Sequence, residues 1–452
     1  MKYRVDEIVF RDDLYPRIET SAATVQKYAE DLDVLPPIEV NQNKVLIDGW
    51  HRWTAYKKVG REEIECAVTE TRDDIHLLEL AIERNARFGM QLSRKDKMAM
   101  ARKIYHKTPM QERGQAKQRL SEVLAMSYVT INRWLSRIDK DEEEARNAAI
   151  LDLWLRCHTE EEIADQVGAA RTSVQSVLTK ICKFEISSIP GILTEDAPDE
   201  SASESVKSEW ERKRQEAIVK LNTSNANHEL EFAVPIYNVW KQQEKSSGSE
   251  HFGNSEPRWL DNLLYLYTSP FDIVVDPFAG GGSTLDKCRQ RMRRCWASDR
   301  IPIEERKREI RELDITQSLP DLRKRWSDVR LVYLDPPYWK QAEGKYSSDP
   351  TDLANMDLET FHATLAGLIC NLAKKLTEGA CIALIISPTQ WPAENKQFTD
   401  HAGEMLRRVK LSVDMRYSVP YESQQYNGNQ VSWAQEHRRC LVLTREIIVW
   451  RK

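Results

Sequence analysis

The apolar pattern changes character along the chain. Up to about residue 68, short extended runs flank a helical stretch: Tyr28 to Leu32 close a helix-compatible pattern, Leu35-Pro36-Pro37-Ile38-Glu39-Val40 reads as extended, and residues 44–47 read as a strand after the polar turn Asn41-Gln42-Asn43. From about 70 to 185 the spacing has the helical period, with few glycines and no strand-like alternation. Between about 186 and 228 it is broken by Pro190-Gly191, by the acidic run from Glu195 to Ser201 and by a charge-rich stretch from Lys207 to Arg214. That composition predicts a linker, partly helical at its end, that lets the two halves move independently. From about 229 onward strand-length and helix-length apolar runs alternate, which predicts a doubly wound sheet. Strands are expected at 273–276, 294–298, 331–334, 382–386, 411–417 and 441–450, the last two as an antiparallel hairpin.

Four regions follow: 1–90, a small α/β domain; 91–185, all helical; 186–228, the linker; and 229–452, an α/β domain. A chain of 452 residues is long enough for each folded region to have its own core. The net charge of −5 gives no global attraction for nucleic acid, so any such contact must come from local basic surfaces. Cysteines 66, 157, 182, 288, 295, 370, 381 and 440 include no Cys-x-x-Cys, which argues for reduced thiols and against zinc or any other metal. No apolar stretch approaches 18 residues and the first residues lack an apolar export segment, so a cytoplasmic protein without membrane contact is expected.

Two stretches carry chemistry. Ile273-Val274-Val275-Asp276-Pro277-Phe278-Ala279-Gly280-Gly281-Gly282-Ser283-Thr284 reads as a strand, a glycine turn and a helix start. Glycines let backbone N–H groups approach a small ligand, and Asp276 at the strand end suits a positively charged group. No Lys follows the glycines, and the spacing is not that of a dinucleotide-binding loop. The second stretch is Leu334-Asp335-Pro336-Pro337-Tyr338.

Together the two stretches resemble the amino-group DNA methyltransferases that use S-adenosylmethionine, over residues 232–452. The resemblance implies a Rossmann-like methyltransferase sheet in which Asp276, Pro277, Phe278, Ala279, Gly280, Gly282, Ser283 and Thr284 hold the cofactor. Asp299 would take its ribose and Asp314 its adenine, a surface acid being the alternative for Asp314. Phe252 to Pro257 and the Leu-rich helix after them resemble the segment that closes over the methionine end. Asp335 and the Pro336 carbonyl would hold the target amine, Pro336 and Pro337 fixing the backbone and Tyr338 stacking on the extruded base. Trp339 either extends that platform or packs. No Pro-Cys nucleophile is present, which disfavours methylation at cytosine C5. Adenine N6 is favoured over cytosine N4 by the order of the motifs. Methylation of RNA at guanine N2, and a nucleotide-switched DNA-binding protein with an inactive methyltransferase half, remain as alternatives. The polar, aromatic stretches 340–356 and 420–427 could read sequence.

In the front half, Ile47-Asp48-Gly49-Trp50-His51-Arg52-Trp53-Thr54-Ala55 resembles the nucleotide-binding box of the ParB/sulfiredoxin superfamily, and Glu83-Arg84-Asn85-Ala86-Arg87 with Leu92-Ser93 its second box. The resemblance implies CTP or ATP phosphates on Gly49, His51 and Arg52; Trp50 stands where sulfiredoxins carry a reactive Cys, so reductase chemistry is not expected. By physics alone Arg52 could equally cap a neighbour. Residues 120–135 and 159–178 both fit helix-turn-helix units, with Met126 and Gly168 at the turns, though any three-helix packing gives a similar pattern. Arg171, Thr172, Ser173, Gln175 and Ser176 of the second would face double-stranded DNA. The chain leaves open a homodimer and a place in a restriction-modification system.

Overall fold

The computed structural model describes residues 1–17, 20–87, 92–109, 112–183, 203–212, 236–241, 256–390, 398–421 and 426–452. These form two compact units, Met1–Glu143 and Glu144–Lys452.

In the first unit, β1 (Lys2–Arg4), α1 (Ala22–Glu30), β2 (Ile38–Val40), β3 (Leu46–Asp48), α2 (Trp50–Val59) and β4 (Glu63–Val68) build a sheet of order β1-β4-β2-β3. β2 and β3 fall on the two extended segments of the sequence pattern. β4 alternates its buried Ile64 and Cys66 with exposed acids, a half-buried strand pattern that the expected elements did not include. Gly49 has φ +104° between β3 and α2, and a Cβ there would stand 2.6 Å from Ile38 Cγ2, so the turn is closed to other residues.

The helical period is realised in α3 (Asp74–Arg87), α4 (Arg94–Lys107), α5 (Arg113–Val123) and α6 (Tyr128–Leu155). Leu78, Ile82, Met100, Ile104, Leu120, Ile131 and Leu135 make their common core. The turn between α5 and α6 differs from expectation: the left-handed residue is Ala125, at φ +47°, and not Met126. α6 then continues for 28 residues, and the division between the compact units falls inside it rather than at 186–228.

In the second unit α7 (Glu160–Val167) and α8 (Arg171–Cys182) follow. Thr159 and Glu162 form the expected capping box, and Gly168 ends α7 at φ +62°. Ile163, Val174, Leu178 and Ile181 share one core with Leu151, Leu155 and Met292, with Phe271 packed against it. Arg289 pairs with Asp152 at 2.9 Å, and Arg325 Nη1 donates to the Cys157 carbonyl at 2.6 Å. α7 and α8 thus pack with the sheet inside one compact unit. Of the expected linker, residues 204–212 are helical, and the rest lies almost wholly outside the described residues.

The remaining elements are α9 (Pro257–Tyr267), β5 (Ile273–Asp276), α10 (Ser283–Gln290), β6 (Arg294–Asp299), β7 (Arg311–Glu312), β8 (Val329–Leu334), α11 (Leu358–Lys375), β9 (Cys381–Ile386), α12 (His401–Arg408), β10 (Ser412–Pro420), α13 (Gly428–Glu436) and β11 (Thr444–Arg451). Seven strands lie in the order β10-β11-β9-β8-β5-β6-β7. β5 to β9 are parallel, and β11 runs antiparallel between β9 and β10. Alternate residues bury both faces: Ile273, Val275, Val332 and Leu334 on one, Val274, Leu331 and Tyr333 on the other. Burial on both faces is why these strands read as near-continuous apolar runs. The chain leaves β5 for β6 on one side and returns to β8 on the other. Such a reversal opens a crevice at the carboxyl ends of the two central strands. No described helix is long and apolar enough to cross a membrane.

Candidate active site

Asp276 ends β5 and Asp335 follows the last residue of β8, so adjacent strands deliver both carboxylates to that crevice. Asp276 is 1 % exposed and its Oδ1 accepts the Phe278 N–H at 2.9 Å. Burial pushes its pKa up to about 7; the Thr284 hydroxyl and Phe278 N–H oppose the shift, and the charges of Asp335 and Asp299 add to it. Gly280 and Gly282 take φ of +47° and +86°, which turns the chain into α10.

Asp299, at the end of β6, accepts the Gly280 N–H at 2.9 Å and the Ile301 N–H at 3.0 Å, so it braces the glycine turn from the neighbouring strand. Asp314 Oδ1 accepts the Thr316 N–H at 2.9 Å, and Asp314 Oδ2 lies 3.4 Å from Arg300 Nε. Arg300 also reaches Asp349 Oδ2 at 2.6 Å and Thr351 Oγ1 at 2.9 Å. One guanidinium thus ties the acid beside β7 to the loop that follows Asp335.

These groups surround a cavity of about 250 Å³. Of the residues expected to hold a cofactor, Asp276, Pro277, Phe278, Ala279, Gly280, Ser283, Thr284, Asp299 and Asp314 line it, and Gly282 does not. Asp335 and Pro337 line it too, whereas the buried Pro336 ring and Tyr338 do not. Tyr338 packs against the core under the sheet and donates its hydroxyl to Asp335 Oδ1 at 3.0 Å. Trp339 packs: its Nε1–H donates to the Met356 carbonyl at 2.9 Å and its ring meets His401 edge-on at 5.8 Å. Among the described residues no group of His, Cys, Asp and Glu is placed to hold a metal ion. All eight cysteines are free thiols.

In the first unit, Gly49, His51 and Arg52 border a cavity of about 450 Å³ with Tyr15, Arg17, Glu39, Asp48, Arg84 and Asn85. Arg52 Nη2 donates to Asp48 Oδ2 at 2.6 Å and Nη1 to the carbonyls of Pro36 and Pro37 at 2.9 and 2.8 Å. His51 Nε2 accepts the Ser21 N–H at 2.9 Å. Burial lowers the His51 pKa, with the charge of Arg17 adding to the effect.

Residues 136–312 match the family model described as DNA methylase. That stretch is similar to the DNA methylase family. That segment includes Asp276 to Thr284 and Asp299, and it ends before Asp314 and before Asp335. No curated protein matches the chain. Among solved structures it is similar to a C-terminally truncated chromosome-partitioning protein ParB from Caulobacter crescentus complexed with CTP-gamma-S. The identity is 16 %, over 39 % of this chain and 98 % of that one, with a TM-score of 0.19. The same protein complexed to the centromeric parS site gives 16 % identity over 48 % and 98 %, with a TM-score of 0.19. A pNOB8-like ParB N-domain gives 14 % over 46 % and 81 %, with a TM-score of 0.25.

Beyond the matched stretch, part of the cavity wall was not foreseen in the sequence. Lys345, Tyr346, Thr351, Asp352 and Leu353, from the stretch 340–356 that could read sequence, line it. Burial, then the charges of Asp335 and Asp299, push the Tyr346 phenol above its ordinary pKa. No local signal marked this wall, because the partners of Arg300 in this stretch, Asp349 and Thr351, stand 49 and 51 residues further on. Within α8, Val174 and Leu178 are buried while Arg171, Thr172, Ser173, Gln175 and Ser176 are exposed. Arg171 is held by Glu160 at 3.0 Å and Glu161 at 2.9 Å, so its charge is locally balanced. Phe252 to Ser255, expected to close over the cofactor, and residues 422–425 of the second loop lie outside the described residues.

Proposed function

We propose that the second unit transfers a methyl group from S-adenosylmethionine to an exocyclic amino group of double-stranded DNA, adenine N6 ahead of cytosine N4. One observation carries the reading: Asp276 and Asp335, from adjacent strands, line a single cavity. The cavity suits the cofactor because it holds a buried carboxylate, costly to ionise alone and eased by a cationic ligand, beside a glycine turn open to close approach. Asp276 would meet the charged end of the cofactor, Asp299 its ribose and Asp314 its adenine. When bound, S-adenosylmethionine supplies an electrophilic methyl group.

The protein's own part is to prepare the amine. An exocyclic amine is a weak nucleophile because its lone pair is delocalised into the ring. Asp335 accepts one of its N–H groups, and the Pro336 carbonyl, held by two fixed φ angles, accepts the other. That pulls the nitrogen towards tetrahedral geometry. The exposed face of α8 would contact DNA, and the cavity at Gly49, His51 and Arg52 would take CTP or ATP. The test is expression in a methylation-free bacterium followed by sequencing for modified bases. N6-methyladenine or N4-methylcytosine at a defined site supports the proposal, and unmodified DNA sinks it.

A further inference from the structure

We infer that Arg445 is a positioning residue for the amine-binding carboxylate, acting through the Tyr338 hydroxyl; the inference rests on the function proposed above. Arg445 is the second residue of β11, pairing with Val419 across to β10. Because β11 runs against β8 and β9, its first residues lie at the edge where those strands end. A parallel strand would deliver its last residues there, so the reversal is what brings a guanidinium next to the amine-binding loop.

Arg445 is 6 % exposed and stands between two rings, 4.5 Å from the centre of Trp259 and 4.4 Å from that of Tyr421. Its Nη1 donates to the Tyr338 hydroxyl at 3.5 Å, and that hydroxyl donates to Asp335 Oδ1 at 3.0 Å. Its Nε has no hydrogen-bond partner among the described residues. A buried cation kept only for packing would be an expensive choice, since an apolar side chain would fill the space between two rings without losing hydration. Aromatic faces stabilise the cation but do not use its charge directionally.

The chain Arg445, Tyr338, Asp335 uses that charge. Asp335 lines the same cavity as Asp276 and Asp299, and neighbouring carboxylates disfavour one another's charge. A buried cation on the Asp335 side places positive charge behind the carboxylate that accepts an amine N–H. The Tyr338 hydroxyl transmits the orientation, which is why it points to Asp335 and not into the cavity.

The test is a double-mutant cycle on the full chain with Arg445→Met and Tyr338→Phe. Arg445→Met should lower kcat about 10- to 100-fold, the scale of a misplaced catalytic group, while S-adenosylmethionine affinity by calorimetry stays within about twofold. If Arg445 acts through Tyr338, the double variant is no slower than the worse single one. Arg445→Lys, which keeps the charge, should recover part of kcat and guards against a folding artefact. Rate losses that multiply, cofactor affinity that falls with kcat, or a lysine variant no better than methionine would each overturn the inference. An inert wild type would instead sink the proposed function and this inference with it.

Discussion

Tyr338 donates its hydroxyl to the Asp335 carboxylate across 3.0 Å, so the aromatic residue of the amine motif aligns the acid. Replacing Asp335 with Ala removes the acceptor at the reacting centre and leaves the glycine turn, Asp276 and Asp299 untouched. Methyl transfer should fall by on the order of a thousandfold or more, comparable to losing a dedicated hydrogen-bonding group in other active sites. Cofactor affinity measured by calorimetry should change little. Turnover equal to wild type would remove Asp335 from the mechanism.

Asp276 is expected to make both stability and cofactor affinity depend on pH. Its folded pKa of about 7 lies above the ordinary 3.8, so the folded state holds the proton more tightly than the unfolded one. The associated stability is present below about pH 4 and is lost as pH rises towards 7, on the order of 4 kcal/mol at most. Asp276→Asn keeps an acceptor for the Phe278 N–H and removes the titration. The unliganded variant should unfold at higher temperature than wild type at pH 8, the difference shrinking by pH 5. Cofactor affinity should move oppositely: in wild type it strengthens from pH 5.5 to 8, because the carboxylate must ionise to meet a cation, and in Asp276→Asn it is weak throughout. A wild-type affinity flat across that range would show that Asp276 does not face the charge.

What was legible in the chain was whatever is written in contiguous residues. The central strands declare themselves because both faces are buried and their interior positions are mostly apolar, and Thr159, Glu162 and Gly168 mark α7 because capping chemistry is local. β7 spans only two residues, and the three of β1 include no buried apolar side chain, so neither shows a period. The cavity wall after Asp335 is held by Arg300 reaching Asp349 and Thr351, and Arg445 reaches Tyr338 from the far end of the chain. Neither pairing leaves a mark in local spacing. The same limit affected Tyr338: its residue type suits stacking on a base, and only the fold shows its hydroxyl committed to Asp335.

Behind the amine loop, His362 and His401 are expected to make the fold acid-sensitive. Their ring nitrogens meet at 2.8 Å, His401 Nε2 lies 2.9 Å from Thr389 Oγ1, and Thr389 donates to the Trp339 carbonyl at 3.1 Å. Burial, reinforced by the charge of His362, lowers the His401 pKa to about 4. A histidine with a depressed folded pKa contributes stability that is present above about pH 6.5 and lost as pH falls towards 4. Between pH 6.5 and 5 the loss is about 2 kcal/mol. Denaturant unfolding at pH 7 and pH 5 should show it, and His401→Asn should flatten the difference. A wild-type stability unchanged between those values would mean the pair is already protonated or exposed.

The ion pairs of Arg171 with Glu160 and Glu161 yield two predictions of opposite sign. If the exposed face of α8 meets phosphates, Arg171→Ala should weaken DNA binding and reduce the dependence of log K on log salt by about one. The unfolding temperature should hardly move, because exposed pairs of this kind contribute little. Glu160→Gln with Glu161→Gln should do the reverse: it releases the guanidinium and removes two negative charges from the surface that approaches the backbone, so affinity rises and the salt slope steepens. Anisotropy titrations of a labelled duplex at two salt concentrations read both variants. If neither changes affinity, DNA does not bind on this face; if both weaken it, the glutamates are holding Arg171 in its binding geometry and not competing for it.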